Sequence, residues 1–221
     1  MNLASEQVHQ ASSSRESPGT PVVYVVDDDV SVRESLELLI RCHGWRPETF
    51  ETAEEFLSRP PSFAPSCLLL DHKLPTISGL ALQKRLIADR VEMPVIFVTC
   101  YGDVPLAVEA MKAGAIEFLN KPFDDGLLLA AITHAIECSR KLLGRQAASQ
   151  VLARRYALLT RRERQVMQLV VMGKKNKAVG VEMHISEITV KAHRGNVMQK
   201  MQANSLAALV TMAADLRLIE G

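Results

Sequence analysis

The chain has little with which to cross-link itself. Its four cysteines, Cys42, Cys67, Cys100 and Cys138, are scattered over 221 residues without a CxxC pair. That spacing suits neither a zinc site nor a disulfide scaffold, and it points to reduced thiols in a cytoplasmic protein. Long apolar runs are also missing. Stretches such as Leu127 to Ile132 fall far short of the roughly 20 residues that a membrane-spanning helix needs. The N-terminus, MNLASEQVHQASSSRESPGT, has no apolar core of the kind that marks a secretory signal. Residues 1–20 read instead as a disordered extension. No internal repeat is visible, which excludes a solenoid. What remains, at 48% hydrophobic residues, is the composition of an ordinary globular protein.

The formal net charge of +1 conceals an asymmetry. Up to Gln150 the chain carries 14 lysines and arginines against 20 acids, and from Val151 onward 12 against 5. An acidic first part and a basic last part suggest two modules with different partners, the second suited to a polyanion.

The first part alternates. Val22 to Val26 is a β-branched run of the kind buried on both faces of a parallel sheet. Val30 to Cys42 follows with Val32, Leu36, Leu39 and Ile40 at helical spacing. Further strands are expected at Trp45–Phe50, Cys67–Leu70, Pro94–Val98 and Ala115–Leu119. Helices are expected at Thr52–Ser58, Ser78–Asp89, Pro105–Ala113 and Asp124–Leu143. Five strands alternating with five helices predict an α/β domain over 21–140, with a flavodoxin-like sheet in the order 2-1-3-4-5. Residues 141–157 are helix-permissive without a strong apolar face and read as a helical linker. Beyond them, over 158–221, only helices are expected: Thr160–Met172, Asn176–Met183, Ser186–Met201 and Ser205–Leu216.

In an open parallel sheet, functional groups gather past the carboxyl ends of the strands. Those ends carry Asp27, Asp28 and Asp29, then Asp71, Thr99, and Lys121 followed by Pro122. Packed carboxylates repel one another, and a hard cation such as Mg²⁺ relieves the repulsion. A carboxylate beside such an ion can attack phosphorus, a lysine can neutralise the charge, and a threonine hydroxyl can bond the new phosphoryl oxygens. A phosphohydrolase with an aspartyl nucleophile would want DxD at that position, whereas Lys73 stands two residues after Asp71. A function other than enzymatic turnover is therefore expected.

The segments VVDDD, LLLDHKLP, ISG, FVTCYGD and FLNKPF resemble, in order and separation, the landmarks of response-regulator receiver domains. The resemblance implies that Asp71 is the phosphoacceptor and that Asp27 and Asp28 are the acidic pair at a Mg²⁺ ion. It makes the carbonyl of Lys73 a further metal ligand and Lys121 the lysine that pairs with phosphate. Thr99 becomes the switch hydroxyl and Phe118 the switch aromatic, with a cis peptide bond before Pro122. It also implies a sensor histidine kinase as partner. Cys100 stands where the family usually has Gly or Ala, which narrows access to the phosphoryl site. Asp29 is expected to point away or to cap the next helix.

In the basic part, Thr160 and Glu163 form a capping-box pattern and Ser186 is a good N-cap. After Ser186, Val190, Val197 and Met201 share one face of a helix while Lys191, Arg194 and Met198 point elsewhere. An apolar stripe with cations on the outward side is the geometry of a helix that enters a major groove. The run from Leu159 to Met201 is similar to the LuxR-type helix-turn-helix, and the whole chain resembles the FixJ/NarL family of transcriptional regulators. That resemblance implies double-stranded DNA as a partner, with Lys191 at base edges or a phosphate and Thr189, His193 and Arg194 in support. Lys174 and Asn176 join the DNA-binding set. Ser205–Leu216 corresponds to the helix that pairs two DNA-bound copies, so a homodimer on phosphorylation is expected, with RNA polymerase as a further partner. Gly180 and Gly195 depart from the family pattern, each at a cost of about 1 kcal/mol relative to Ala in a helix interior. A receiver that serves only as a phosphate-independent dimerisation scaffold is the alternative within regulation.

Overall fold

The computed structural model describes residues 19–100 and 102–218. The disorder expected for residues 1–20 lies almost wholly outside them. The chain divides into two compact units, the first ending at Leu142 and the second beginning at Leu143.

The first unit is a five-stranded parallel sheet. Its strands are β1 (Val22–Val26), β2 (Arg46–Phe50), β3 (Ser66–Leu70), β4 (Val95–Thr99) and β5 (Glu117–Asn120). They run in the order β2-β1-β3-β4-β5, the order the sequence pattern predicts. Between them lie helices α1 (Val30–Cys42), α2 (Ala53–Ser58), α3 (Gly79–Ala88) and α4 (Val104–Lys112), and α5 (Asp125–Ala157) follows.

Strand periodicity divides the core into two layers. Val22, Tyr24, Val26, Leu68, Leu70 and Phe97 pack with Phe56 of α2, Leu82 and Leu86 of α3 and Ala110 of α4. Val23, Val25, Cys67, Leu69, Ile96 and Val98 pack with Leu36 and Ile40 of α1 and with Leu128, Ile132 and Ile136 of α5. Burial on both faces explains why β1 and β3 are continuous apolar runs instead of alternating ones. All four cysteines are free, and burial pushes the Cys67 thiol up to about 12, which leaves it unreactive.

Two boundaries differ from expectation by more than one residue. Strand β5 begins at Glu117 instead of Ala115, because Ala113 and Gly114 still close the last turn of α4 and the Ile116 amide reaches Val95 O at 2.7 Å. Helix α5 does not end near Leu143 but continues through the expected linker to Ala157. Within it the eight residues from Gly144 to Val151 are all exposed.

The second unit holds α6 (Arg161–Val171), α7 (Asn176–Met183), α8 (Glu187–Met201) and α9 (Leu206–Asp215). The capping box is present in full, with Thr160 Oγ1 accepting from the Glu163 amide and the Glu163 carboxylate accepting from the Thr160 amide. Val166, Val170, Val179, Val190, Val197, Met201 and Leu209 form the core. Met198, expected to face away from it, packs against this core in part. Helix α7 approaches the next turn closely at Gly180, where a Cβ would stand 2.8 Å from the Ile185 carbonyl oxygen. The glycine expected to weaken the helix is therefore required by packing.

Candidate phosphoryl site and DNA-reading helix

Right-handed crossovers deliver the ends of β1, β3, β4 and β5 to one edge of the sheet. Asp27, Asp28, Asp29, Asp71, Lys73, Cys100 and Lys121, together with Val32, line a cavity there of about 300 Å³. Within it Lys121 Nζ lies 2.5 Å from Asp27 Oδ2 and 3.7 Å from Asp71 Oδ1. Asp27 and Asp71 are buried, while Asp28 stands exposed.

Backbone hydrogen bonds fix these side chains. The Asp29 amide donates to Asp27 Oδ1 and the Lys73 amide to Asp71 Oδ2, each at 3.0 Å. The Asp71 amide is tied to Val26 O and the Lys121 amide to Thr99 O, each at 2.9 Å. The Lys121–Pro122 peptide is cis. Asp29 caps α1, its carboxylate accepting from the Ser31 amide at 2.8 Å.

Burial works against the charge of Lys121, but the hydrogen bond to Asp27 and the negative charges of Asp27 and Asp71 outweigh it. The lysine pKa is raised, so the ammonium stays charged. Burial dominates for Asp27 and lifts its carboxyl above the usual range, against the lowering effects of Lys121 and the Asp29 amide. The lysine therefore compensates Asp27 only in part, and a further positive charge at the site would be welcome.

Thr99 is fully buried at the end of β4 and is not among the residues lining the cavity. Phe118 is half-buried and stacks on Phe97, with ring centroids 5.9 Å apart. One contributor went unnoticed in the sequence, and another, the glycine of the ISG segment, was noted without its packing role. Arg33 of α1 donates to the Asp27 carbonyl at 2.7 Å, and its i+3 spacing from Val30 gave no sign of that. Gly79 opens α3 directly against the phosphoacceptor loop, where a Cβ would lie 2.2 Å from the Asp71 carbonyl oxygen.

In the second unit, several cations and polar groups expected at DNA are engaged within the fold. Lys174 pairs with Glu182, and Arg194 Nη1 donates to Asn176 Oδ1 at 3.1 Å. Thr189 and Ser186 share a hydrogen bond at 2.8 Å between their hydroxyls. Lys191 is exposed, 3.3 Å from Glu187 one turn earlier. His193 is half-buried. Sequence reasoning gave Glu163 its capping role but missed its second one: the buried carboxylate also accepts from Lys200 at 2.7 Å and links α6 to α8.

Comparison with known proteins agrees with this architecture. Residues 23–133 match the response regulator receiver domain, and residues 157–213 match the bacterial regulatory proteins of the luxR family. The transcriptional regulatory protein FixJ of Bradyrhizobium diazoefficiens is 43% identical over 191 residues, covering 86% of this chain and 93% of that protein. Nodulation protein W of the same organism is 44% identical over 195 residues, covering 88% and 86%. Among solved structures, the response regulator StyR aligns with a TM-score of 0.78 at 43% identity, covering 89% of this chain and 99% of StyR. Full-length FixJ from B. japonicum aligns with a TM-score of 0.54 at 40% identity, covering 91% and 100%. The fold and its two matched segments define a receiver domain joined to a helix-turn-helix DNA-binding domain. The chain belongs to the FixJ-like response regulators of two-component systems, a family of transcriptional regulators and not of enzymes.

Receiver domains typically bind Mg²⁺ at the phosphorylation site. The side-chain donors at the cavity fit that ion, being the carboxylates of Asp27, Asp28, Asp29 and Asp71, with the Cys100 thiol the one soft group among the described lining residues. Mg²⁺ usually takes one or two carboxylates and keeps several waters. Accordingly it needs no ready-made cage, and among the described residues no group of three or more His, Cys, Asp or Glu side chains forms one. Nor is any helix among them long and apolar enough to cross a membrane.

Proposed function

We propose that the chain is a phosphorylation-dependent regulator of transcription in which Asp71 accepts phosphate from a sensor histidine kinase. The observation that carries this reading is the approach of one ammonium, Lys121, to two buried carboxylates, Asp27 and Asp71. An Asp71 oxygen attacks the phosphorus of a phosphohistidine; the new P–O bond forms as the P–N bond breaks and the imidazole leaves. Asp28, Asp71 and the Lys73 carbonyl, with Asp27 beside them, would hold Mg²⁺, which would neutralise the phosphoryl charge. Lys121 turns from Asp27 toward the phosphoryl oxygens. Thr99 bonds one of them, and Phe118 leaves its half-exposed position for the space vacated.

The face made by α4, β5 and the first part of α5 then favours a second copy, and the dimer places two α8 helices on paired half-sites in double-stranded DNA. RNA polymerase is the next partner, and the cytoplasm is where kinase and DNA are both met. The functional divisions in this scheme are a receiver over 21–140, a helical linker over 141–157 and a DNA-binding domain over 158–221. In the DNA-binding domain Lys174, Asn176, Thr189, Lys191, His193 and Arg194 form or support the DNA contact.

Incubation with acetyl phosphate and Mg²⁺ tests the first step. One phosphoryl group is expected by mass on the wild type and none on Asp71→Asn, with a dimer on gel filtration only for the phosphorylated protein. Stable phosphorylation of the Asp71→Asn variant at another aspartate would overturn the assignment.

A further inference from the structure

The buried stripe of α8 consists of Val190, Val197 and Met201. Ile188, Ala192 and Gly195, at positions i, i+4 and i+7, lie on the opposite face, and all are exposed. Ile188 is 80% exposed, more than any other large hydrophobic residue described in the second unit. A branched apolar side chain in open water at the start of a helix has no role in the core. Nothing lies within 4 Å of a Cβ built on Gly195, so this face is clear along two turns.

Several polar groups beside this face are committed within the fold, while Asn196 and Gln199 lie exposed further along it. Thr189 and Ser186 bond each other, Arg194 is held by Asn176, and Lys191 pairs with Glu187. What the start of the face offers a partner is thus an aliphatic group, a methyl and, at Gly195, a bare stretch of backbone, with Lys191 alongside and Asn196 and Gln199 following. The surroundings are cationic, with 12 basic residues against 5 acidic from Val151 onward. A polyanion that also carries apolar groups at the depth of a helix is duplex DNA with thymines in its major groove, where the C5-methyl is the one apolar mark.

We infer that Ile188, with Ala192 behind it, reads thymine by packing against its C5-methyl group in the major groove. This rests on the DNA-binding role of α8 and adds to it the kind of base recognised and the residue that recognises it. Gly195, without a side chain, lets the middle of the helix approach closely enough for the contact to form. Readout on this face is therefore by shape and apolar burial more than by hydrogen bonds.

Removing the methyl group from the DNA isolates the contact. Duplexes are selected from a random pool with the full-length phosphorylated protein, and each selected thymine is then replaced singly by deoxyuridine, which differs only in lacking the C5-methyl. At one or more positions deoxyuridine should weaken wild-type binding about fourfold, the effect of exposing one methyl-sized group. Ile188→Ala should bind thymine and deoxyuridine duplexes equally there, and Ile188→Val should keep a reduced preference. Both variants should keep the wild-type circular dichroism and the wild-type salt dependence on unselected DNA. If the methyl effect is the same in Ile188→Ala as in the wild type, or no thymine shows one, the inference is wrong while DNA binding stands. If no salt-dependent DNA binding is seen at all, the DNA-binding role itself fails and the inference falls with it.

Discussion

Lys200 of α8 reaches back to Glu163 of α6 and donates to its carboxylate at 2.7 Å, closing the basic unit around a buried acid. Burial on its own would raise the pKa of Glu163. The bonds from Lys200 and from the Thr160 amide and hydroxyl, helped by the Lys200 charge, overcome that and bring it down to about 2. The same carboxylate thus completes the cap of α6 and anchors the far end of α8.

Acid should loosen this unit in a defined window. Because the folded pKa lies below the ordinary value of 4.5, the stabilisation is present above about pH 4.5 and is lost as pH falls toward about 2. Glu163→Gln should flatten that dependence. Lys200→Met should destabilise the unit by less than the ~3–5 kcal/mol of breaking a fully buried pair, since the Lys200 side chain is one-third exposed. Urea melts of the second unit from pH 7 to pH 2.5 check both. Parallel profiles for wild type and Glu163→Gln would contradict the linkage.

Two glycines should respond oppositely to alanine. At Gly79 the added methyl would lie 2.2 Å from the Asp71 carbonyl oxygen, a backbone atom with no freedom to yield. The loop must shift, so Gly79→Ala should lose acceptance of phosphate and destabilise the first unit by about 1–3 kcal/mol. At Gly195 the methyl meets open space, and Gly195→Ala should stabilise the second unit by about 1 kcal/mol through helix propensity alone. Thermal melts of each variant decide both signs.

The acidic cavity was legible because its residues sit at strand ends, where chain direction alone sends them to one edge. Strand β1 was plain from its apolar run, and α1 from spacing together with the Asp29 cap. The Glu163–Lys200 pair was not legible, since 37 residues separate its members and helix packing alone brings them together. The helical character of 141–157 was legible, but the point at which α5 ends was not. Gly144 to Val151 carries no apolar face, and periodicity, the primary signal for a helix, cannot place the end of one that packs against nothing along that stretch. The engagement of Arg194 by Asn176 was hidden for a related reason. A cation on a helix pattern reads as outward-facing until a neighbouring helix supplies an acceptor.

Mg²⁺ should raise the melting temperature of the first unit. Asp27, Asp28 and Asp71 share the cavity, where Lys121 lies within salt-bridge distance of Asp27 and Asp71, and the folded site concentrates negative charge that the unfolded chain disperses. An ion that binds only the folded form stabilises it by about 2.7 kcal/mol at a hundredfold excess over its Kd. Asp28→Asn should shrink the shift without unfolding the domain, since Asp28 is exposed. Equal Mg²⁺ shifts for wild type and variant would remove Asp28 from the ion's ligands.

Limited proteolysis should cut within Gly144–Val151 before anywhere else in α5. On either side the helix is held by a core: Ile132 and Ile136 pack in the first unit, Leu152 and Tyr156 in the second. The intervening residues are exposed and belong to neither core, and Gly144 weakens the helix there by about 1 kcal/mol relative to Ala. Local opening there exposes no apolar surface, so it costs less than opening a packed segment. Arg145 lies in this stretch, and brief trypsin treatment should release two fragments that meet at its carboxyl side, identifiable by mass. Gly144→Ala should slow that cut severalfold without changing cleavage elsewhere. First cleavage at Arg140 or Arg154 instead would show that helical order fails closer to one of the two cores.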